Sequence, residues 1–251
     1  MTGAPSESPF ANRTVIVLGP VRSGTTWLVE LLLAHPALAG LSWESTIFMA
    51  LWDLWENAHR ADGEGISAYL GPDEVAAALR GFCDRTFSVA DGEWFVEKTP
   101  DNVNRIPLIA AAYPDAWYVH LVRDGRDVVR SQVVAPWGTD DPAQAARNWV
   151  WAVRQVRRHR WRLQRYVEVR YEDLVDDPVG QTTALLEWMG LAVDGEVASG
   201  IKERIGREVA RYGATDAIGP GKWTQMSDAD LRRIREVAGD LLAELGYVGQ
   251  R

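Results

Sequence analysis

A β-branched run, Thr14-Val15-Ile16-Val17-Leu18, ends in Gly19-Pro20 and leads through Val21-Arg22-Ser23-Gly24-Thr25-Thr26 into an apolar helical repeat at Leu28, Leu31 and Leu32. No other feature constrains the chain as much. A short apolar run predicts a strand buried on both faces, as in a parallel sheet. The glycine-bearing loop after it delivers a helix N-terminus, where free backbone N–H groups and the helix dipole favour an anion. That helix is predicted over Thr25–Ala34, stopped by His35-Pro36.

The remaining chain repeats the alternation. Met49–Arg60 and Asp73–Phe87 read as helices, Phe95-Val96 as a strand, Asp101–Ala112 as a helix ending before Pro114, and Trp117–Val122 as the clearest later strand. A helix from Gly125 to about Val134 follows, then a long one over Ala143–Arg165, a strand at Tyr166–Val169 and a helix at Pro178–Met189. The last helix, Asp228–Leu245, is capped by Ser227 and ended by Gly246. This order predicts an α/β fold with a central parallel sheet flanked by helices, its ligand at the carboxyl ends of the strands. With 251 residues and no evident linker, residues 13–251 are expected to form one domain behind a flexible segment 1–12.

Net charge of −8 argues against a general nucleic-acid binder, so an anionic ligand would need a local positive pocket. The single Cys83 excludes a disulfide framework and a multi-cysteine zinc site and fits a reducing compartment. The four histidines lack metal-ligand spacing, and no metal is expected. The start lacks the pattern of a signal peptide and no stretch reaches the ~20 apolar residues of a membrane span, so a cytoplasmic protein is expected. Of 27 basic residues only Lys98, Lys202 and Lys222 are lysines. Arg154, Arg157, Arg158 and Arg162 give the long helix an arginine-rich face, read as a solvated face balanced by acidic neighbours in preference to an RNA-binding one.

The loop is not a Walker A motif, because Thr25-Thr26 follow Gly24 where that motif has Lys and Ser/Thr. Its text, Pro20-Val21-Arg22-Ser23-Gly24-Thr25-Thr26, resembles the signature of sulfotransferases that use 3′-phosphoadenosine 5′-phosphosulfate (PAPS), notably the branch of tyrosylprotein and bacterial small-molecule and carbohydrate sulfotransferases. The resemblance implies a P-loop-like fold and assigns Arg22, Ser23, Gly24, Thr25 and Thr26 to the 5′-phosphosulfate. Arg123-Asp124-Gly125-Arg126 with Ser131 resembles the family's 3′-phosphate element, implying that Arg123 and Ser131 hold that phosphate; an ion pair of Arg123 with Asp127 or Asp124 is the structural alternative. The tyrosylprotein branch has a further arginine where this chain has Ala135. Arg170-Tyr171-Glu172-Asp173-Leu174 resembles the segment whose tyrosine lies against the nucleotide, and Gly219-Pro220-Gly221-Lys222-Trp223 the loop that closes over the phosphates.

Within that resemblance Glu44, in Ser42-Trp43-Glu44-Ser45-Thr46, is the candidate general base, with Trp43 expected to desolvate it and raise its pKa. Lys98, in Glu97-Lys98-Thr99-Pro100, is the candidate that stabilises the leaving phosphate oxygen, and Glu97 is a rival base. Trp43, Trp52, Trp55, Trp137, Trp149 and Trp151 are candidates for an acceptor pocket or for the core. The expected reaction moves a sulfonate from PAPS, leaving 3′-phosphoadenosine 5′-phosphate (PAP), to a hydroxyl of a small molecule or sugar. A P-loop kinase using ATP and a non-catalytic nucleotide-binding protein are the alternatives. The acceptor's identity and a homodimer are left open.

Overall fold

Ile16 and Leu18 face one side of a sheet and Val15 and Val17 the other, all with no solvent exposure, so β1 (Thr14–Leu18) is buried on both faces as its composition requires. The computed structural model describes residues 10, 12–41, 44–60, 62–88, 93–212 and 219–247. After β1 come α1 (Thr25–Leu32), β2 (Leu38–Gly40), α2 (Ile47–Ala58), α3 (Pro72–Phe87), β3 (Trp94–Glu97), α4 (Ile106–Ala112), β4 (Trp117–Val122), α5 (Gly125–Val133) and α6 (Pro142–His159). They are followed by β5 (Arg165–Arg170), α7 (Tyr171–Asp176), α8 (Pro178–Trp188), α9 (Gly195–Tyr212) and α10 (Asp228–Glu244).

The strands pair in the order β2-β3-β1-β4-β5 and every pair is parallel. Parallel neighbours need crossovers, and these carry the helices to both faces. Phe48 of α2, Val75 and Leu79 of α3 and Ile109 of α4 pack with Ile16, Leu18 and Tyr118. Leu28 and Leu31 of α1, Leu186 of α8 and Ile201 of α9 pack with Val15, Val17 and Val119. A third cluster joins α5, α6 and α10 through Val128, Trp149, Ile234 and Leu241. The expected α/β, P-loop-like architecture is thus the one observed.

Three differences from the sequence reading have local causes. The long helix expected over Ala143–Arg165 ends at His159, because a 3₁₀ turn at Arg160–Arg162 and the buried Leu163 redirect the chain into β5. The helix expected over Asp101–Ala112 divides into a 3₁₀ turn at Pro100–Asn104 and α4, whose second residue, Pro107, has no N–H to continue a helix. Both β2 and α9 escape periodicity: β2 is three residues long, and Gly195, Gly200 and Gly206 dilute the repeat of Val197, Ile201 and Ile205 that seats α9. Phe10, within the segment expected to be loose, is buried against Phe87 and Phe95. Among the described residues no helix is long and apolar enough to cross a membrane.

Trp149 is fully buried beneath Gly125, and its indole N–H donates to the Arg123 carbonyl at 3.2 Å. A Cβ at Gly125 would stand 2.7 Å from the Trp149 ring, whereas one at Gly81, in the middle of α3, meets open space. Gly125→Ala should therefore destabilise by about 1–3 kcal/mol and Gly81→Ala should be neutral or stabilising. Denaturant unfolding of the two variants checks this, and equal stabilities would contradict the packing described.

Candidate active site

Four of the motifs singled out in the sequence leave the carboxyl ends of parallel strands: the loop after β1, Lys98 after β3, Arg123 after β4 and Tyr171 after β5. They therefore share one edge of the sheet. In the first loop Ser23 is buried and its hydroxyl donates to the Pro20 carbonyl at 2.7 Å, so its side chain closes the turn. Gly24 has φ +96°, and a Cβ there would lie 2.4 Å from the Tyr171 ring. The glycine is required twice over, by backbone conformation and by the tyrosine beneath it. No side chain caps α1, which leaves the first-turn N–H groups at Thr25 and Thr26 directed to the sheet edge; Thr25 is buried and Thr26 exposed.

Arg22, at φ +74°, donates from Nε to the Ser131 hydroxyl at 2.9 Å, while its carbonyl accepts from Arg123 at 3.3 Å. The two expected phosphate sites therefore touch. Arg123 is buried, its guanidinium carbon 4.2 Å from the centre of the Tyr171 ring, and its Nε has no hydrogen-bond partner among the described residues. Asp127 lies 3.9 Å from the Arg123 guanidinium, so the alternative pairing foreseen from the sequence exists, but at the edge of contact.

The buried Asp127 carboxylate has a second role that the sequence did not reveal. It accepts from the backbone N–H groups of Gly221 at 2.7 Å and Trp223 at 2.8 Å, and so holds the residues on either side of Lys222. Arg126 reinforces this anchor by stacking 3.7 Å over the Trp223 ring. Glu172, next to Tyr171, accepts from the Asp124 N–H at 2.9 Å and from the Tyr247 hydroxyl at 2.8 Å, which braces the turn that presents Arg123. These contacts join residues 48 to 97 positions apart, beyond the reach of sequence periodicity.

Lys98 and Glu97 are both buried at the end of β3. Burial pushes the Lys98 ammonium below the usual lysine range, with the Glu44 and Glu97 carboxylates pulling the other way. Burial pushes Glu97 up, opposed by hydrogen bonds from Ser45, Thr99 and Asn102. Thr99 donates to Glu97 at 2.8 Å and accepts from the Thr46 N–H at 3.3 Å, so the residues that follow Glu44 are tied to those around Lys98. Glu44 is exposed, and Trp43, expected to cover it, lies outside the described residues along with Ser42. The buried, pKa-raised carboxylate of this region is Glu97.

Against this geometry, comparison with known proteins is decisive. The family model described as "Sulfotransferase family" matches residues 14–195. The chain belongs to the sulfotransferase family. The expected membership of a sulfotransferase family is met. Nodulation protein NoeE of Sinorhizobium fredii is 25% identical over 92% of the chain, which spans only 65% of NoeE's length. Protein-tyrosine sulfotransferase 1 of Danio rerio is 24% identical over 98% of the chain and 76% of its own length. Among solved structures, the sulfotransferase domain of the Synechococcus PCC 7002 olefin synthase superposes with a TM-score of 0.63 at 19% identity, over 95% of this chain and 98% of that one. Mouse sulfotransferase SULT7A1, complexed with PAP, gives 0.53 at 14% identity over 95% and 90%. These two likenesses establish the fold.

Beside the loop this sulfotransferase has a cleft of about 460 Å³ lined by Pro20, Val21, Pro100, Asn148, Trp137 and Trp151, among others. Of the six candidate tryptophans, Trp137 and Trp151 line it. Trp149 belongs to the core, and Trp52 and Trp55 pack against the core. Asp127→Asn removes one of two acceptors and should speed hydrogen exchange at the Gly221 and Trp223 amides by about tenfold or more, leaving the β1 and β4 amides unchanged. Unaltered exchange at both loop amides would show that the loop is held by something else.

Proposed function

We propose that this sulfotransferase moves a sulfonate from PAPS to a hydroxyl of a small-molecule or carbohydrate acceptor, in the cytoplasm. One observation carries the donor assignment. A buried guanidinium with an unpartnered Nε, Arg123, sits beside Ser131 and Arg22 at the uncapped N-terminus of α1. A buried, incompletely paired cation favours an anion, and a guanidinium and a hydroxyl suit a phosphate. Arg22 supplies a second guanidinium on Ser131, which offers a substitute for the arginine missing at Ala135.

When bound, PAPS supplies a sulfonate on a phosphate leaving group. Arg123 and Ser131 hold the 3′-phosphate, and the α1 N–H groups with Arg22, Ser23, Gly24, Thr25 and Thr26 form the cradle for the 5′ end, Arg22 joining the two through its bond to Ser131. Tyr171 supports both from beneath, and Lys222 is presented to the phosphates by the Asp127 anchor. Glu44 takes the proton of the acceptor hydroxyl, its exposure giving the acceptor access. Lys98 directs its ammonium to the leaving oxygen from a buried position where its field is little screened. Glu97, buried and hydrogen-bonded on one oxygen by Thr99 and Asn102, supports Lys98 and the Glu44 segment. A kinase reading lacks its phosphate-reaching lysine, since buried Thr25 stands in its place.

Thermal stabilisation by PAP but not AMP, lost in Arg123→Ala, is the expected signature of the donor site; equal stabilisation by both nucleotides would overturn it. With labelled PAPS and a screened acceptor, Glu44→Gln should lose about 10²–10⁴ in turnover while PAP still binds. Full activity in that variant would remove Glu44 as the base.

Lys98 must be charged to act, and its lowered pKa makes it lose its proton at lower pH than an ordinary lysine. Glu97 works against that lowering. Glu97→Gln should therefore move the alkaline limb of the kcat/KM profile to lower pH, and an unmoved limb would separate the two residues functionally.

A further inference from the structure

A second groove of about 690 Å³, between α6 and α10, shares a lining residue with the cleft beside the β1 loop. Trp151 lines both. Arg147, Trp151, Arg154 and Arg158 fall at spacings of four, three and four along α6, so they form one exposed stripe. The floor is apolar, from Val150 on α6 and Val237 and Leu241 on α10. Arg157, in this same groove, is paired with Glu168 at 2.6 Å and Glu244 at 2.5 Å. Arg154 and Arg158 make no hydrogen bond or ion pair among the described residues, while Arg147 reaches Asp141 only at 3.4 Å. The stripe thus sets Trp151, which also lines the cleft beside the β1 loop, between Arg147 on one side and Arg154 and Arg158 on the other. Arg154 and Arg158 lie about 5 and 10 Å beyond Trp151 along the helix axis.

We propose that this groove binds the far end of the acceptor, which is an elongated amphipathic molecule carrying a carboxylate or comparable anion opposite the hydroxyl that receives the sulfonate. The inference rests on the sulfonate-transfer reading and names the acceptor class within it. The apolar floor covers a hydrocarbon or similar chain, the Trp151 face lies at the junction, and the two unpaired guanidinium groups receive the anion. A polyanion such as RNA fits less well, because the floor is apolar and Glu244 lies on the rim.

The test is calorimetric binding of two matched probes, 12-hydroxydodecanoate and 1,12-dodecanediol, to the full chain saturated with PAP. Wild type should bind the hydroxy acid about tenfold more tightly than the diol. That preference should disappear in Arg154→Ala/Arg158→Ala and in 0.5 M salt, with PAP affinity unchanged in the double variant. Equal affinity for the probes, binding of neither, or a preference that survives the double substitution overturns the groove assignment. Failure of PAP itself to bind overturns the donor reading instead, so the two failures are distinguishable.

Discussion

A guanidinium in a protein interior is tolerable only where its charge is balanced and its N–H groups are matched. Arg123 meets that condition in part: it rests on Tyr171, reaches the Arg22 carbonyl and lies 3.9 Å from Asp127, with its Nε unmatched. The surrounding structure is arranged to hold it there. Trp149 fixes the Arg123 carbonyl, Glu172 fixes the Asp124 amide, and Tyr171, the first residue of α7, fills the space that Gly24 leaves open. Moving any of these would move Arg123 relative to the α1 N-terminus.

Asp127 makes the same arrangement cooperative. One carboxylate faces Arg123 and also receives the backbone of the Gly221–Trp223 turn, so the placement of Lys222 depends on the helix that follows Arg123. Two elements nearly a hundred residues apart are thereby set by one side chain. The placement of Arg123 and that of Lys222 are thus parts of one construction.

How much of this could be read in advance follows from range. The β1 loop was legible because its signals are local: a strand apolar throughout, two glycines and a helix start within about a dozen residues. Arg123, Ser131 and Tyr171 were legible as resemblance, and the sheet edge unites them with the loop. Invisible were Asp127 as a backbone acceptor, the demand that Tyr171 places on Gly24, and the Thr99 bridge to Thr46, since each depends on partners brought together only by folding. Periodicity also misread α6, where arginines continue past His159 although the backbone turns into β5. The short β2 and the glycine-diluted α9 failed for lack of a pattern, not for lack of burial.

The scarcity of lysine acquires a physical meaning at two positions. Lys98 is the one lysine enclosed at the end of a strand, where a compact ammonium needs less room than a guanidinium fork and concentrates its charge at one point. Such a charge is useful against a single oxygen, whereas Arg123 and Arg22 present planar donors to a group with several. Cationic groups of two shapes therefore stand at one edge of the sheet, inside a chain whose total charge is −8. In a chain of net charge −8, attraction for an anion has to come from local groups, and Arg22, Lys98 and Arg123 are cations that the fold gathers at this sheet edge.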